Sequence, residues 1–470
     1  MNSRIPGKFT LLFILFCLFC SGCSEKKTSP KGRAETTPPD SSYQGDHLDN
    51  VIAAYWNSLG DIERATGKKS SHSYYAKFSF TDQNEEQILR CAQWVLANTW
   101  MDGSTTCSVL LRAMEDNKGN VELILRGVEA DHPVLPPLSD IETPIPNWRK
   151  MYLIALLHLV DIKRRAVEKL MHPDYGSLDP DARAGLKVLQ FGGHFMCDNG
   201  TLFHYLIGNA IRCAAADFLI WVIEKDISLT LQRRDIIDII LENENKRNSF
   251  FTGWHDDLMT LCDNLVKIYG HAFPENPPED LVNHLRKALS QEMKVSSDAL
   301  TLAQIRDIYS TGTLSRYFNE FIKLGEGFAG LTARERENER EGYQTQSSKV
   351  SPQRSPYLKN VEVPNVVIPL QLEDVVITKL RLIVTALSMQ EAILLKRTTQ
   401  PQPSVKIMGL DPSWAVDPFT DKPFTTLFIK PGRLTLNGQP PEWFYAMDQI
   451  YAMNMRMDID FPTPREKAQE

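Results

Sequence analysis

The chain has 470 residues, 42% hydrophobic and 24% charged, with a formal net charge of −7. Such a composition belongs to a globular protein of two or three domains, not to a disordered or fibrous chain. Basic and acidic residues are interspersed without a basic patch, which argues against nucleic acid as a partner, and no apolar run reaches the roughly 20 residues expected of a membrane-spanning helix.

The chain opens like an exported protein. Arg4 and Lys8 precede a short apolar stretch at residues 9–19, followed by Cys20-Ser21-Gly22-Cys23. A positive start, a short apolar segment and small residues form a cleavable signal. Small residues just before a Cys resemble the lipobox of bacterial lipoproteins, with Cys20 where Leu is commonest. Residues 1–23 are therefore expected to be a lipoprotein signal peptide, with Cys23 as the lipid-attachment site. An ordinary cleaved signal that happens to end in Cys is the alternative. Acylation, palmitate included, would tie the chain to a membrane by more than one acyl chain, which stable anchoring requires. Ser24 is not Asp, so the inner-membrane retention signal of some bacteria is missing. The expected location is the cell envelope, at the outer membrane facing the periplasm. Residues 24–45 are rich in Ser, Thr, Pro and Lys and read as a disordered tether.

Beyond Cys23 the cysteines are Cys91, Cys107, Cys197, Cys213 and Cys262. Outside the cytoplasm disulfides are allowed, and Cys91 with Cys107 or Cys197 with Cys213 are conceivable pairs. Buried Cys acting as a small hydrophobe is the plainer reading. Beyond Cys23 no two cysteines have the CxxC spacing, so a zinc ribbon or thioredoxin-type centre lacks support.

Residues 46–145 read as a small α+β region. Val51, Ile52, Tyr55, Trp56 and Leu59 place a helix over 47–60; alternation at 74–80 predicts a strand; Ile88, Leu89, Ala92 and Leu96 predict a helix over 83–100. Two apolar runs at 106–114 and 121–126 flank Asn117-Lys118-Gly119-Asn120 and predict a hairpin. Prolines 133–146 mark a boundary near 145.

Residues 146–330 read as a helical bundle. A helix over 147–170 carries a wide apolar stripe and ends in a solvated Lys163-Arg164-Arg165 segment. The stretch 186–224 is nearly all apolar or small, so it predicts two core helices, 186–197 and 201–224, hinged at Asp198-Asn199-Gly200. Gly192-Gly193 allows close helix packing. Further helices are expected at 230–242, 249–269, 279–293, 301–310 and 314–324. Residues 331–371 read as a charged helix end, 333–341, and an extended linker. A C-terminal module, 372–470, opens with a helix over 372–398. A hairpin of strands 424–430 and 433–436 follows. The fold class is thus mainly α (α+β overall): a helical bundle core with a small N-terminal α/β region and a small C-terminal helix-plus-hairpin module.

The C-terminal features carry a resemblance. Leu380-Arg381 on the long helix, Asp417-Pro418-Phe419, Pro423-Phe424 and Asp458-Ile459-Asp460-Phe461-Pro462 are similar to a module of uncharacterised bacterial envelope lipoproteins with a multihelical body. That module resembles the globular part of type II secretion pseudopilins. Asp198-Asn199-Gly200-Thr201-Leu202 before a small-residue-rich helix also looks like such proteins. Asp421 stands where the turn usually has Gly, and Thr399-Gln400-Pro401 replaces a Gly-x-Tyr-Pro. The resemblance implies a helix packed on a small sheet and no particular reaction or ligand.

Chemistry-bearing residues are sparse. His194 and Cys197, three apart, share a helix face; with Asp198 and His204 beyond the hinge they are the candidate metal ligands, since zinc takes N, S and O donors. A core histidine bonded to a backbone carbonyl beside a buried Cys fits the same pattern. His255-Asp256-Asp257 fits a helix start, His172-Pro173-Asp174 a helix stop, and Glu242 and Glu244 a solvated face. There is no GxSxG, and the SxxK at Ser24–Lys27 falls in the tether; there is no GxxxxGK[ST] and no strand-borne GxGxxG, so no cofactor is expected. The expectation is a lipid-anchored, non-enzymatic binding or scaffolding protein with a membrane and an envelope protein as partners. The alternatives are an envelope hydrolase or metal-dependent enzyme built from His194, Asp198, His204 and His255, or an accessory subunit of a secretion apparatus.

Overall fold

The computed structural model describes residues 57–79, 84–98, 105–135, 148–172, 177–197, 200–225, 233–246, 250–270, 311–350, 366–395, 405–430, 433–441 and 455–460, with isolated positions between 279 and 301. The signal segment with Cys23, the tether, Asp198 and nearly all of the helices expected at 279–293 and 301–310 lie outside the described residues. The fold is mainly α. A helical run at 57–66 precedes α1 (His72–Tyr75), α2 (Glu85–Ala97), α3 (Thr105–Asp116), α4 (Lys118–Ala130), α5 (Trp148–Leu170), α6 (Asp179–His194), α7 (Leu202–Lys225) and α8 (Arg233–Lys246). Then come α9 (Phe250–Gly270), α10 (Thr311–Ala329), α11 (Ala333–Val350), α12 (Val367–Leu394) and α13 (Val405–Met408). Short strands close the chain: β1 (Val416–Asp417), β2 (Lys422–Pro423), β3 (Thr425–Lys430), β4 (Arg433–Asn437) and β5 (Arg456–Asp460).

The chain divides into two compact units: a body of residues 54–137, 145–250 and 369–470, and a second unit of residues 1–53, 138–144 and 251–368. The body is built on the α6–α7 hairpin. Helix α7 is long and apolar enough to cross a membrane, the one such helix among the described residues, but 78% of its apolar window is buried inside the protein. A helix apolar on every side suits the centre of a bundle, and the residues that bury Leu202 through Ile223 are protein. The two helices approach closely because they carry glycine at the crossing. A Cβ on Gly192 would lie 2.8 Å from the Gly208 carbonyl oxygen, and one on Gly185 would lie 2.7 Å from the Phe218 ring. A Cβ on Gly193 would meet nothing within 4 Å, so only the first glycine of the pair serves the crossing.

Two sequence expectations are corrected in the N-terminal part. Residues 74–79 are not a strand: Tyr74 and Tyr75 end α1, Ala76 and Lys77 follow as a turn, and Phe78 and Ser79 as coil. Residues 106–126 are not a hairpin but the helices α3 and α4. Cys107, Leu110 and Ala113 are buried at helical spacing on α3, as are Asn120, Ile124 and Gly127 on α4. Asn117 and Asn120 form the corner between them: Asn120 Nδ2 donates to Asn117 Oδ1 at 2.8 Å and to Ser79 O at 2.7 Å. Both are buried, so two residues of the expected hairpin turn belong to a hydrogen-bonded helix junction.

Lys163 also departs from expectation. It is 2% exposed, and its ammonium donates to the carbonyls of Val95, Leu96 and Asn98 at 2.7–3.1 Å. A cation at a helix C-terminus satisfies carbonyls with no intrahelical partner, so Lys163 of α5 caps α2. Arg165 does face solvent.

The C-terminal segment forms a β3–β4–β5 antiparallel sheet, with Leu427 opposite Thr435 and Leu434 opposite Ile459. The expected hairpin is present and the acidic tail adds its third strand. Asp417 holds the turn between β1 and β2: its carboxylate accepts from Phe419 N at 2.9 Å and Gln439 N at 2.6 Å. Asp421 adopts φ 54°, the left-handed conformation that favours glycine. A non-glycine residue thus takes the left-handed position of this turn.

In the second unit, Trp254 of α9 is fully buried against Phe321 and sits where a Gly325 side chain would be. Phe328 stacks on Tyr343 at 4.3 Å, joining α10 to α11. The charged segment 333–341 is the first half of α11, and the helix runs on to Val350 through residues expected to be linker. Thr332 and Glu335 cap it reciprocally, Thr332 N to Glu335 Oε2 at 2.9 Å and Glu335 N to Thr332 Oγ1 at 3.3 Å, the capping-box arrangement.

Candidate functional site

Of the candidate ligands, His194, Cys197 and His204 lie around the α6–α7 junction, and each has a hydrogen-bond partner. His204 is the third residue of α7. The backbone N–H of Thr201 donates to His204 Nδ1 at 3.0 Å, while His204 N–H donates to Thr201 Oγ1 at 3.3 Å. This is a capping box with histidine in the place of Glu or Gln. The T-x-x-H spacing before an apolar run was readable in the sequence.

His194, at the end of α6, accepts from the Tyr75 hydroxyl through Nδ1 at 2.8 Å, and its Nε2 faces Asp131 Oδ1 at 3.8 Å. Asp131 ends α4 in a left-handed conformation, φ 43°. The Tyr75 ring lies flat where a side chain on Gly127 would be, so α4 needs glycine there. His72 Nε2 donates to the His194 carbonyl at 2.9 Å, and Cys197 Sγ lies 3.8 Å from that nitrogen. A core histidine bonded to a backbone carbonyl beside a buried cysteine is thus present, with His72 as the histidine. Phe191 and Phe195 pack against Tyr75 at 4.8 and 6.1 Å and close the cluster.

Burial keeps these groups neutral. Desolvation takes His72 down to about 3 against the pull of its carbonyl bond, puts His204 well below its ordinary value, and holds the Tyr75 hydroxyl well above its own. Among the described residues no three His, Cys, Asp or Glu side chains are gathered as a metal would need. His255 faces Asp256 at 3.0 Å on the exposed side of α9, in the second unit. The five described cysteines are all free thiols.

A second set of polar groups, missed by the sequence reading, lies in the body around α7. Lys379 of α12 is completely buried, and its ammonium donates to both oxygens of Asp217 at 2.6 and 2.8 Å and to Cys213 Sγ at 3.4 Å. Burial pushes the Asp217 carboxyl up to about 6 against the pull of Lys379. Burial is the largest influence on Lys379 and opposes its charge, but Asp217 and Cys213 together outweigh it and raise the amine. Two short charge-assisted bonds hold the pair as ammonium and carboxylate. Arg212 is matched as well: it donates to Asn209 Oδ1 at 2.8 Å and pairs with Glu244. Glu244 is therefore a partner of a core arginine, not part of a solvated face; Glu242 is exposed.

Arg233, the first residue of α8, is 1% exposed. Its Nε donates to Gln390 Oε1 at 2.8 Å, and its Nη1 has no hydrogen-bond partner. Burial takes it down to about 9, with Glu391 pulling the other way, so it remains a cation at neutral pH. At the far end of α7, Glu224 Oε1 accepts from Asp458 N of β5 at 2.8 Å. These contacts tie 369–470 into the body through side chains of α7 and α8.

No family model, no curated protein and no solved structure matches the chain.

Proposed function

We propose that the chain is a lipid-anchored protein of the bacterial cell envelope, acting as a binding or scaffolding piece for another envelope protein. The observation that carries this reading is the N-terminal sequence: Arg4 and Lys8, the apolar run at 9–19, and Cys20-Ser21-Gly22-Cys23 ahead of a polar, Pro-rich stretch. Attachment through Cys23 would place the folded residues beyond a tether of about twenty residues, enough to reach several tens of ångströms from the bilayer. The scaffolding half of the reading is supported by the way 369–470 is bound into the body. Lys379–Asp217, Arg233–Gln390 and Asp458–Glu224 cross from that segment to α7 and α8. A C-terminal module fixed in this way would present a rigid surface, and rigid surfaces bind at a lower entropic cost.

Expression of wild type and Cys23→Ala in a bacterial host, followed by membrane fractionation, tests the anchor. Wild type should sediment with membranes and incorporate labelled palmitate; the variant should be released and unlabelled. Identical fractionation of the two would refute the anchor. Cross-linking in intact envelopes tests the scaffolding half, and recovery of no specific adduct from the anchored wild type would count against it.

A further inference from the structure

Four lysine or arginine side chains are buried among the described residues: Lys163, Arg212, Arg233 and Lys379. Removing a cation from water is costly unless its charge is paired and its N–H groups are bonded. Arg212 and Lys379 meet that condition, and Lys163 has its N–H groups bonded to carbonyls. Lys163 has three carbonyls, Arg212 has Glu244 and Asn209, and Lys379 has both oxygens of Asp217. Arg233 does not. It has one neutral acceptor, Gln390 Oε1, on Nε; its Nη1 is buried without a partner, and among the described residues no carboxylate lies within ion-pair distance. Glu391 is near enough to favour the charge but forms no ion pair with it.

The guanidinium is also held ready. Gln390 is itself 3% exposed, and its bond to Nε fixes the orientation of the planar fork. Arg233 opens α8, a helix of 14 residues, whose first-turn N–H groups add partial positive charge. A second negative group would therefore be favoured at this place, and a guanidinium with a free Nη edge matches the two oxygens of a carboxylate or phosphate.

We propose that Arg233, oriented by Gln390, is a receptor for an oxyanion, a phosphate or carboxylate group that comes from outside the body and pairs with the unused Nη edge. The group arrives either as a free phosphate-bearing molecule or as an acidic side chain of a partner. Because the unfilled site leaves a cation unmatched, the charge is kept at the expense of stability.

Thermal melts of the full mature chain in detergent, with inorganic phosphate or acetate replacing chloride at constant ionic strength, test this. Wild type should gain about 3 °C or more as the matching anion approaches saturation. A response to phosphate identifies a free phosphate-bearing ligand; a response to acetate alone identifies a partner carboxylate. Arg233→Met should melt higher than wild type in chloride and respond to neither anion, while Arg233→Lys, which keeps the charge without the fork, should respond more weakly than wild type. The proposal is overturned if wild type responds to neither anion, or if Arg233→Met responds as wild type does. It is also overturned if Arg233→Met melts lower than wild type or fails to fold while Arg233→Lys folds, since the charge would then be a structural requirement.

Discussion

Lys379→Met should be among the most damaging single changes in the body. Lys379 is 0% exposed and its ammonium is the hydrogen-bond donor to both oxygens of Asp217, which is itself 9% exposed at its side chain. Met fills nearly the same volume, so little packing is lost. What remains is a carboxylate with no counter-charge, and breaking a buried pair from one side costs about 3–5 kcal/mol. Lys379→Met/Asp217→Leu removes both charges and should return to within about 1–2 kcal/mol of wild type. The pH dependence is specific. Burial already raises Asp217 to about 6, and without Lys379 it rises further. A carboxyl whose folded value lies above its unfolded value stabilises when protonated, and loses that stability as pH rises through the window between the two. The deficit of Lys379→Met relative to wild type should therefore be largest at neutral pH and shrink toward about pH 5. Urea denaturation of the Cys23→Ala background at several pH values measures this. A single-variant loss below about 1 kcal/mol, or a double variant no better than the single, would refute the picture of a sealed ion pair.

Two further outcomes follow from the buried histidines and the hairpin glycines. His72 and His158 fall to about 3 and about 4 from an ordinary 6.5, and His204 lies well below it. The unfolded chain therefore binds protons that the fold refuses, so stability should be intact above about pH 6.5 and fall below it, by about 2 kcal/mol per histidine near pH 5. An unchanged urea midpoint between those pH values would show that the rings are not sealed. Gly192→Ala should destabilise by about 1–3 kcal/mol because its Cβ meets the Gly208 carbonyl. Gly193→Ala, one residue on and facing open space, should instead stabilise by about 0.5–1 kcal/mol. Equal effects at the two positions would mean that the α6–α7 crossing is misplaced.

The core hairpin was legible because its signal is redundant: 186–224 is nearly all apolar or small, which suits the centre of a bundle. The β3–β4 hairpin was legible through its turn. The N-terminal part misled because two signals conflicted. Asn117-Lys118-Gly119-Asn120 reads as a turn between strands, while Cys107, Leu110 and Ala113 keep a helical period. The period was the truer guide, since the two asparagines serve the corner through Ser79, a partner forty-one residues away for Asn120. Tyr74 and Tyr75 alternate with their neighbours by chance; what fixes Tyr75 is the bare backbone of Gly127 and the acceptor on His194. Of the candidate cluster, the helical spacing of His194 and Cys197 misled, because α6 ends at His194 and Cys197 lies in the bend beyond it. His72, which supplies the bond to the His194 carbonyl, comes from a segment more than a hundred residues earlier and carries no local mark.

The buried ions show what such sequences do disclose. Helices α7 and α12 are the most apolar in the body, and each carries isolated charges: Arg212 and Asp217 in one, Lys379 in the other. A charge stranded in an apolar helix must be matched within the fold, so its partner must be another stranded charge or a ligand. Uniformly apolar surfaces slide past one another at little cost, because Leu, Ile and Val substitute for each other in packing. A lysine that can be satisfied only at Asp217 allows one register between α12 and α7. On this argument the double variant should keep its stability yet lose definition, with broadened tryptophan emission and poorer near-ultraviolet dichroism from Trp221, four residues along α7 from Asp217. A double variant as sharply defined as wild type would mean that shape alone sets the register. The ion pair would then be an inheritance rather than a specifier.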